Sequence, residues 1–176
     1  MTAPTDKPLS STLRTRRFRA GDEFALFHVH RSAIQSIASR DYTPEQIQAW
    51  LPEEGERDAW AQRVRALAPF VALDGDRIVG YADLQANGLI DQFFVSGQHP
   101  RRGIGAALMW RVHEEAALLG LSELHAHVSL SAEAFFRRFG FEVVERRLPV
   151  RRGLALPNAL MRKRLPPGAD PQGERP

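Results

Sequence analysis

Phe93-Phe94-Val95-Ser96-Gly97-Gln98-His99-Pro100-Arg101-Arg102-Gly103-Ile104-Gly105-Ala106-Ala107-Leu108 is the stretch on which the fold turns. An apolar strand runs into a polar loop, and two arginines with a Gly-x-Gly pair then open a helix. The first turn of a helix carries backbone N–H groups without intrahelical partners and the positive end of the aligned peptide dipoles, so it attracts anions. Gly103 and Gly105 let a ligand approach that backbone with no Cβ in the way. Arg101 and Arg102 place mobile positive charge beside it. The stretch reads as a seat for a pyrophosphate.

A Gly-x-Gly pair alone carries little weight; the strand before it, the helix after it and the adjacent arginines raise it. A phosphate-loop NTPase requires Gly-Lys-Ser/Thr, whereas this chain has Gly105-Ala106-Ala107. The dinucleotide fingerprint requires a third glycine near the position of Leu108, early in a parallel unit. Both nucleotide readings weaken.

Outward from this stretch, the periodicity predicts a mixed α/β domain. Leu13 to Phe18 forms a first strand, and Gly21-Asp22-Glu23 leads into a helix with Phe24, Phe27, Ile34 and Ile37 among its apolar positions. Thr43-Pro44-Glu45 is an N-cap, a first-turn proline and an acid, so a second helix runs through Trp50 and stops at Pro52. A third helical stretch covers Glu54 to Leu67. Phe70 to Leu73 and Arg77 to Leu84 are strands joined at Asp74-Gly75-Asp76. Gly88 to Val95 is the next strand, with Leu89, Asp91, Phe93 and Val95 expected on one face. Gly103 to Leu119 is the long helix, with Gly120 beyond its end. Ser122 to Val128 is a strand, Ser131 to Phe139 a short helix, Phe141 to Arg147 a strand and Leu160 to Leu165 the last. Hairpin-linked strands in the first half exclude a wholly parallel fold. The expectation is one domain over 12–165 with polar tails at 1–11 and 166–176. Its sheet is mixed and mostly antiparallel, with helices on both faces.

Composition bounds the chemistry. The chain has 176 residues and no cysteine, which removes disulfides, thiolate metal sites and a cysteine nucleophile. No apolar run approaches the roughly 18 residues of a membrane span, and the N-terminus lacks a signal-peptide core, so a cytoplasmic protein is expected. The formal charge of +3 is too small to carry nucleic-acid binding. A homodimer is compatible with the sequence. His125 and His127 share the polar face of one strand; His-x-His can bind zinc, but apart from Glu123 no third ligand is evident there.

The spacing from Val95 to Gly103-Ile104-Gly105-Ala106 resembles the acetyl-CoA motif of the GCN5-related N-acetyltransferase (GNAT) superfamily. Ala132-Glu133-Ala134-Phe135-Phe136-Arg137-Arg138-Phe139-Gly140-Phe141 is similar to the short helix and following strand of that superfamily. Thr43-Pro44-Glu45-Gln46-Ile47-Gln48-Ala49-Trp50 resembles the second helix of its YafP-like branch. The likeness runs from about Leu13 to Arg164. It implies an acetyl-CoA-dependent transfer of an acetyl group to a primary amine, on a small molecule or a protein, with no metal. Backbone N–H groups of Arg101, Arg102, Gly103, Ile104, Gly105 and Ala106 would hold the CoA pyrophosphate. Phe93 and Val95 match positions whose backbone pairs with the pantetheine arm, and a strand N–H near Phe94 or Val95 would stabilise an oxyanion. Ser129 stands where an asparagine is usual, and Phe136 falls in the aromatic pair beside the cofactor.

Two departures follow. Pro100 replaces a usual Gln or Arg, leaving Arg101 or Arg102 to supply the side-chain contact. Phe135-Phe136 replaces Phe-Tyr, so Ser129, Ser131, Tyr81 or water protonates the leaving thiolate in place of the missing tyrosine hydroxyl, or the thiolate leaves unassisted. That loss also keeps open a catalytically silent CoA-binding module.

A lysine-like amine, with a pKa about 3.4 units above neutrality, costs about 4.6 kcal/mol to deprotonate, so a proton acceptor is required. Asp91 is the candidate base, since it interrupts an apolar strand; Asp83 is second. His28 and His30 on the first helix are further candidates for contact with the acceptor.

Overall fold

The computed structural model describes residues 13–99 and 101–166. The expected tails and Pro100 lie outside them, Pro166 apart. Among the described residues ten strands and five α-helices follow one another: β1 (Leu13–Arg17), α1 (Glu23–Ser36), α2 (Pro44–Trp50), α3 (Arg57–Leu67), β2 (Phe70–Asp74), β3 (Arg77–Ala82), β4 (Leu89–Ile90), β5 (Phe93–Val95), α4 (Ile104–Leu118), β6 (Glu123–Ser129), α5 (Leu130–Arg138), β7 (Glu142–Arg147), β8 (Val150–Arg151), β9 (Leu154–Ala155) and β10 (Asn158–Arg164).

Thr43 closes a capping box with Gln46 at the start of α2, as the sequence demands. In α1 Leu26, Val29, His30, Ala33 and Ile34 form a buried i, i+3, i+4, i+7, i+8 stripe, with Phe27 and Glu23 buried beside it. Phe24 falls outside that stripe and is 57% exposed, covered in part by the Arg57 guanidinium 4.8 Å from its ring centre.

The first sheet is antiparallel in the order β1-β2-β3-β5; the second is β4-β6-β10-β7, parallel only between β4 and β6. Phe70 and Ala72 face a core closed by Ile104, Leu108 and Val112 of α4, while Val71 and Leu73 face Leu26 and Val29 of α1 and Val64 of α3. Burial on both faces is why β2 reads as an unbroken apolar run. Gly80 lets α4 lie close on β3, since a Cβ there would stand 2.8 Å from the Ile104 Cγ2.

The strand expected over 88–95 is broken in two. Its first half, β4, pairs with β6, and its second half, β5, pairs with β3, so one run of chain belongs to both sheets. The cause is a side chain: the Asp83 Oδ1 accepts the N–H groups of both Asp91 (2.9 Å) and Gln92 (2.6 Å). A carboxylate that captures two consecutive amides takes them out of the ladder and forces a bulge. Beyond the bulge the two sheets diverge as a fork.

The β8–β9 hairpin was not foreseen. Its two-residue turn is Arg152-Gly153, with φ of +50° and +78°. Glycine second in a two-residue turn was the available signal, masked by the shortness of the flanking apolar pairs.

Candidate active site

The fork opens between β5 and the end of β6. Its chemistry is set by which backbone groups of β5 remain unpaired. The Asp83 N–H donates to the Gln92 carbonyl (3.0 Å) and the Ser96 N–H to the Val79 carbonyl (2.8 Å). These fix the phase of the β3–β5 ladder, in which Tyr81 faces Phe94 as a bonded pair, whereas Ala82/Phe93 and Gly80/Val95 are non-bonded pairs. The polar backbone groups of Phe93 and Val95 therefore point away from β3, into the fork. The Phe94 N–H belongs to the ladder, which leaves Val95 of the two as a candidate oxyanion donor.

At the far end of the same strand, α4 starts with Gly103 at its N-cap (φ +75°) and no side-chain cap. Arg101 adopts φ +60°, so left-handed residues flank Arg102. Such a turn exposes successive N–H groups at the positive end of α4. Arg102 donates to the Asp74 carboxylate at 2.7 Å and so braces the loop against the β2–β3 hairpin. Arg101 is exposed, with no ion pair among the described residues, and is the guanidinium available to an anion. Ile104 is turned inward at 2% exposure, so it offers a ligand its backbone alone; Ala106 is half-buried. A Cβ on Gly105 would lie 3.1 Å from the Phe135 ring, so this ring is packed under the helix start. Phe136 sits in the core at 3% exposure, 5.5 Å from Phe93 and 5.0 Å from Phe141 between ring centres. Phe135 is therefore the aromatic nearer the loop.

The bulge also corrects the expected facing of the strand. Phe93 packs on Phe135 and Phe136, while Asp91 and Gln92 both reach the opposite side, the side of α1 and α3. The Asp91 Oδ2 accepts from Arg63 of α3 at 2.6 Å and from the Gln92 amide at 3.2 Å. The Gln92 Oε1 accepts from the Tyr81 hydroxyl (3.2 Å), which in turn accepts from the His30 Nδ1–H (3.0 Å). This assigns the His30 tautomer, because the single Tyr81 proton is already donated. Burial and then the Arg151, Arg63 and Arg31 guanidiniums push the His30 pKa down to about 3, so it is a neutral hydrogen-bonding group and a feeble base. Burial raises Asp83 to about 6, against the pull of its two amides. Asp83 builds the bulge; it is buried beneath the fork. His28 is exposed beside Phe24.

Of the hydroxyls considered for the leaving group, Tyr81 is buried and doubly bonded, and Ser131 donates to Asp41 at 2.7 Å. Ser129 stands at the N-cap of α5 without using its side chain as a cap. Its neighbour across the ladder, Asn158, has a buried Oδ1 with no partner among the described residues.

The β8–β9 hairpin borders an open cleft at the end of α2. The cleft, of about 460 Å³, is lined by Arg31, Gln48, Leu51, Pro52, Arg152 and Leu154. Arg152 donates to the carbonyls of Leu51 (2.7 Å) and Ala49 (3.2 Å) and to Glu56 (2.7 Å), which satisfies the open end of α2 and latches the hairpin there. Arg152→Ala is expected to lower stability by about 1–3 kcal/mol, since carbonyls at a helix end lose a charged donor. Thermal melting checks this as a midpoint drop of several degrees, with hydrogen exchange speeding up in residues 150–155. Among the described residues no helix is long and apolar enough to cross a membrane, and no three His, Asp or Glu side chains could hold a metal.

Comparison with known proteins gives the family and the fold. The sequence profile of the acetyltransferase (GNAT) domain matches residues 38–163. The uncharacterized N-acetyltransferase YafP of Escherichia coli (strain K12) is 29% identical over 152 residues, covering 86% of this chain and 96% of that protein. A GCN5-related N-acetyltransferase crystal structure from Rhodopseudomonas palustris superposes with a TM-score of 0.85 at 24% identity, over 91% of this chain and 99% of that one. The PaiA N-acetyltransferase of Thermoplasma acidophilum, in complex with coenzyme A, gives 0.68 at 15% identity, over 87% and 99%.

Proposed function

This chain belongs to the GNAT acetyltransferase family, and from that premise we propose that it uses acetyl-CoA to acetylate a primary amine by direct transfer. One observation carries the reading: a single strand leads from the bulge, past the outward-facing backbone of Phe93 and Val95, to the uncapped start of α4. A pantetheine arm is an extended chain with two amides, which suits an unpaired strand edge. A diphosphate suits the N–H groups from Arg101 to Ala106, with the Arg101 guanidinium as counter-charge. Coenzyme A, the ligand of the similarly folded PaiA enzyme, has both parts. Acetyl-CoA brings an acetyl thioester; the chain's residues bind it, exclude water and manage protons. Val95 N–H is the oxyanion donor and Ser129 the hydroxyl offered to the departing thiolate. The acceptor amine, small or protein-borne, enters between α1, α2 and the β8–β9 hairpin.

Calorimetry of acetyl-CoA with the parent chain and Gly105→Trp tests the placement. A side chain at 105 has to displace Phe135 and disturb the loop, so affinity should fall by about 100-fold or more, near 2.7 kcal/mol. Gly105→Ala, which asks Phe135 to move only slightly, should bind within a few-fold of the parent. Unchanged affinity in Gly105→Trp would refute the seat. Turnover is read by thiol release, which the cysteine-free chain leaves without background. Binding without turnover across a broad amine panel would favour the silent module.

A further inference from the structure

We propose that His127, rather than Asp91, is the base that relieves the acceptor amine of its proton. This rests on the acetyl-transfer reading and adds a residue to it. The β4–β6 register pairs Leu89 with His125 and Ile90 with Ala126, so one step further sets Asp91 abreast of His127, at the point where the sheets part. Period-two alternation puts His125, His127 and Ser129 on one face of β6, opposite the face that buries Leu124, Ala126 and Val128. Asp91, released by the bulge toward α1 and α3, lies on that same side. The amine has to approach here, across from the Phe93 side chain.

Asp91 is ill suited to the proton. Its Oδ2 is already occupied, accepting from Arg63 at 2.6 Å and from the Gln92 amide at 3.2 Å. His127 is exposed, and neither ring nitrogen has a hydrogen-bond partner among the described residues. The groups facing it are Asp91 from the bulged strand, His125 from its own strand, and the Arg147–Glu145 pair of β7. Partial burial, then Arg147, holds its pKa below the ordinary imidazole value, so its lone pair is open at neutral pH.

The sequence of bonds balances. The bound ammonium gives a proton to a His127 ring nitrogen, and the freed nitrogen lone pair forms an N–C bond to the thioester carbonyl. The C–S bond breaks with its electron pair on sulfur, and the second amine proton goes to the thiolate through Ser129 or water. The imidazolium of His127, beside ionised Asp91, releases its proton to solvent. Asp91 is a positioning residue here, steadying the transient positive ring.

His127→Gln and Asp91→Asn separate the roles. Acetyl-CoA binding by calorimetry should be unchanged in His127→Gln, while kcat toward alkylamines and amino acids falls about 100-fold or more, the usual range for losing a general base. The acidic limb of the kcat profile should vanish with it. Asp91→Asn should keep a limb, shifted to lower pH, with a smaller loss. Imidazole NMR of the parent chain reads the same site without an acceptor: saturating acetyl-CoA should shift the His127 ring signals. Ring signals that ignore acetyl-CoA, or His127→Gln with the parent's rate at every pH, would overturn the assignment. A parent chain that binds no acetyl-CoA would instead bring down the acetyl-transfer reading on which this rests.

Discussion

Asp83→Ala should lose roughly 2–6 kcal/mol of stability, because two part-buried amides are left without an acceptor at about 1–3 kcal/mol each. Asp83 is fully buried, and its Oδ1 is what holds the Asp91 and Gln92 N–H groups out of the ladder. Urea unfolding gives the loss, and hydrogen exchange localises it to amides 91 and 92. Acetyl transfer should fall with it, since the fork is opened by this one carboxylate. Asp83→Asn keeps the acceptor oxygen and removes the buried charge, so it should be at least as stable as the parent at neutral pH. An alanine variant of parental stability would mean that the bulge is held by something else.

Acid titration of folding should expose two opposed slopes. His30 has a folded pKa of about 3, below its ordinary 6.5, so its contribution is complete above pH 6.5 and is lost as pH falls toward 3. That span is worth about 5 kcal/mol at its limit. Asp83 has the reverse sign: raised from 3.8 to about 6, it contributes fully below pH 3.8 and the contribution disappears as pH rises through 6. Its span is about 3 kcal/mol. Between pH 6 and 4 the two nearly cancel in the parent chain. Each substitution unmasks the other: between pH 6.5 and 4, Asp83→Asn should lose about 3 kcal/mol more than the parent, and His30→Gln should gain by a similar amount. Parallel stability–pH curves for all three chains would contradict both assignments.

Much of the fold was legible from local chemistry. The Thr43-Pro44 cap, the Gly75 turn, the unbroken apolar β2 and the glycine-flanked start of α4 each declare themselves within a few residues. The polar heart of the site did not. Whether Asp91 shares a face with Phe93 depends on Asp83, eight positions away, reaching across to capture two amides, and period-two alternation has no term for that. The same bulge brings Gln92, Tyr81, His30 and Arg63 into one hydrogen-bonded line. Arg152 was hidden for a similar reason, since its partners are carbonyls of α2 about a hundred residues earlier. The membership of Phe135 rather than Phe136 at the loop was a matter of helix phase, which one residue of error reverses.

The strand that serves both sheets also couples how they come apart. Leu89–Ile90 is stitched to segments that follow it, and Phe93–Val95 to segments that precede it, so each half of the molecule borrows an edge from the other. Neither could be cut free and keep its ladder whole. The molecule should melt in one cooperative step, and a protease nick at that seam should dismantle both halves together.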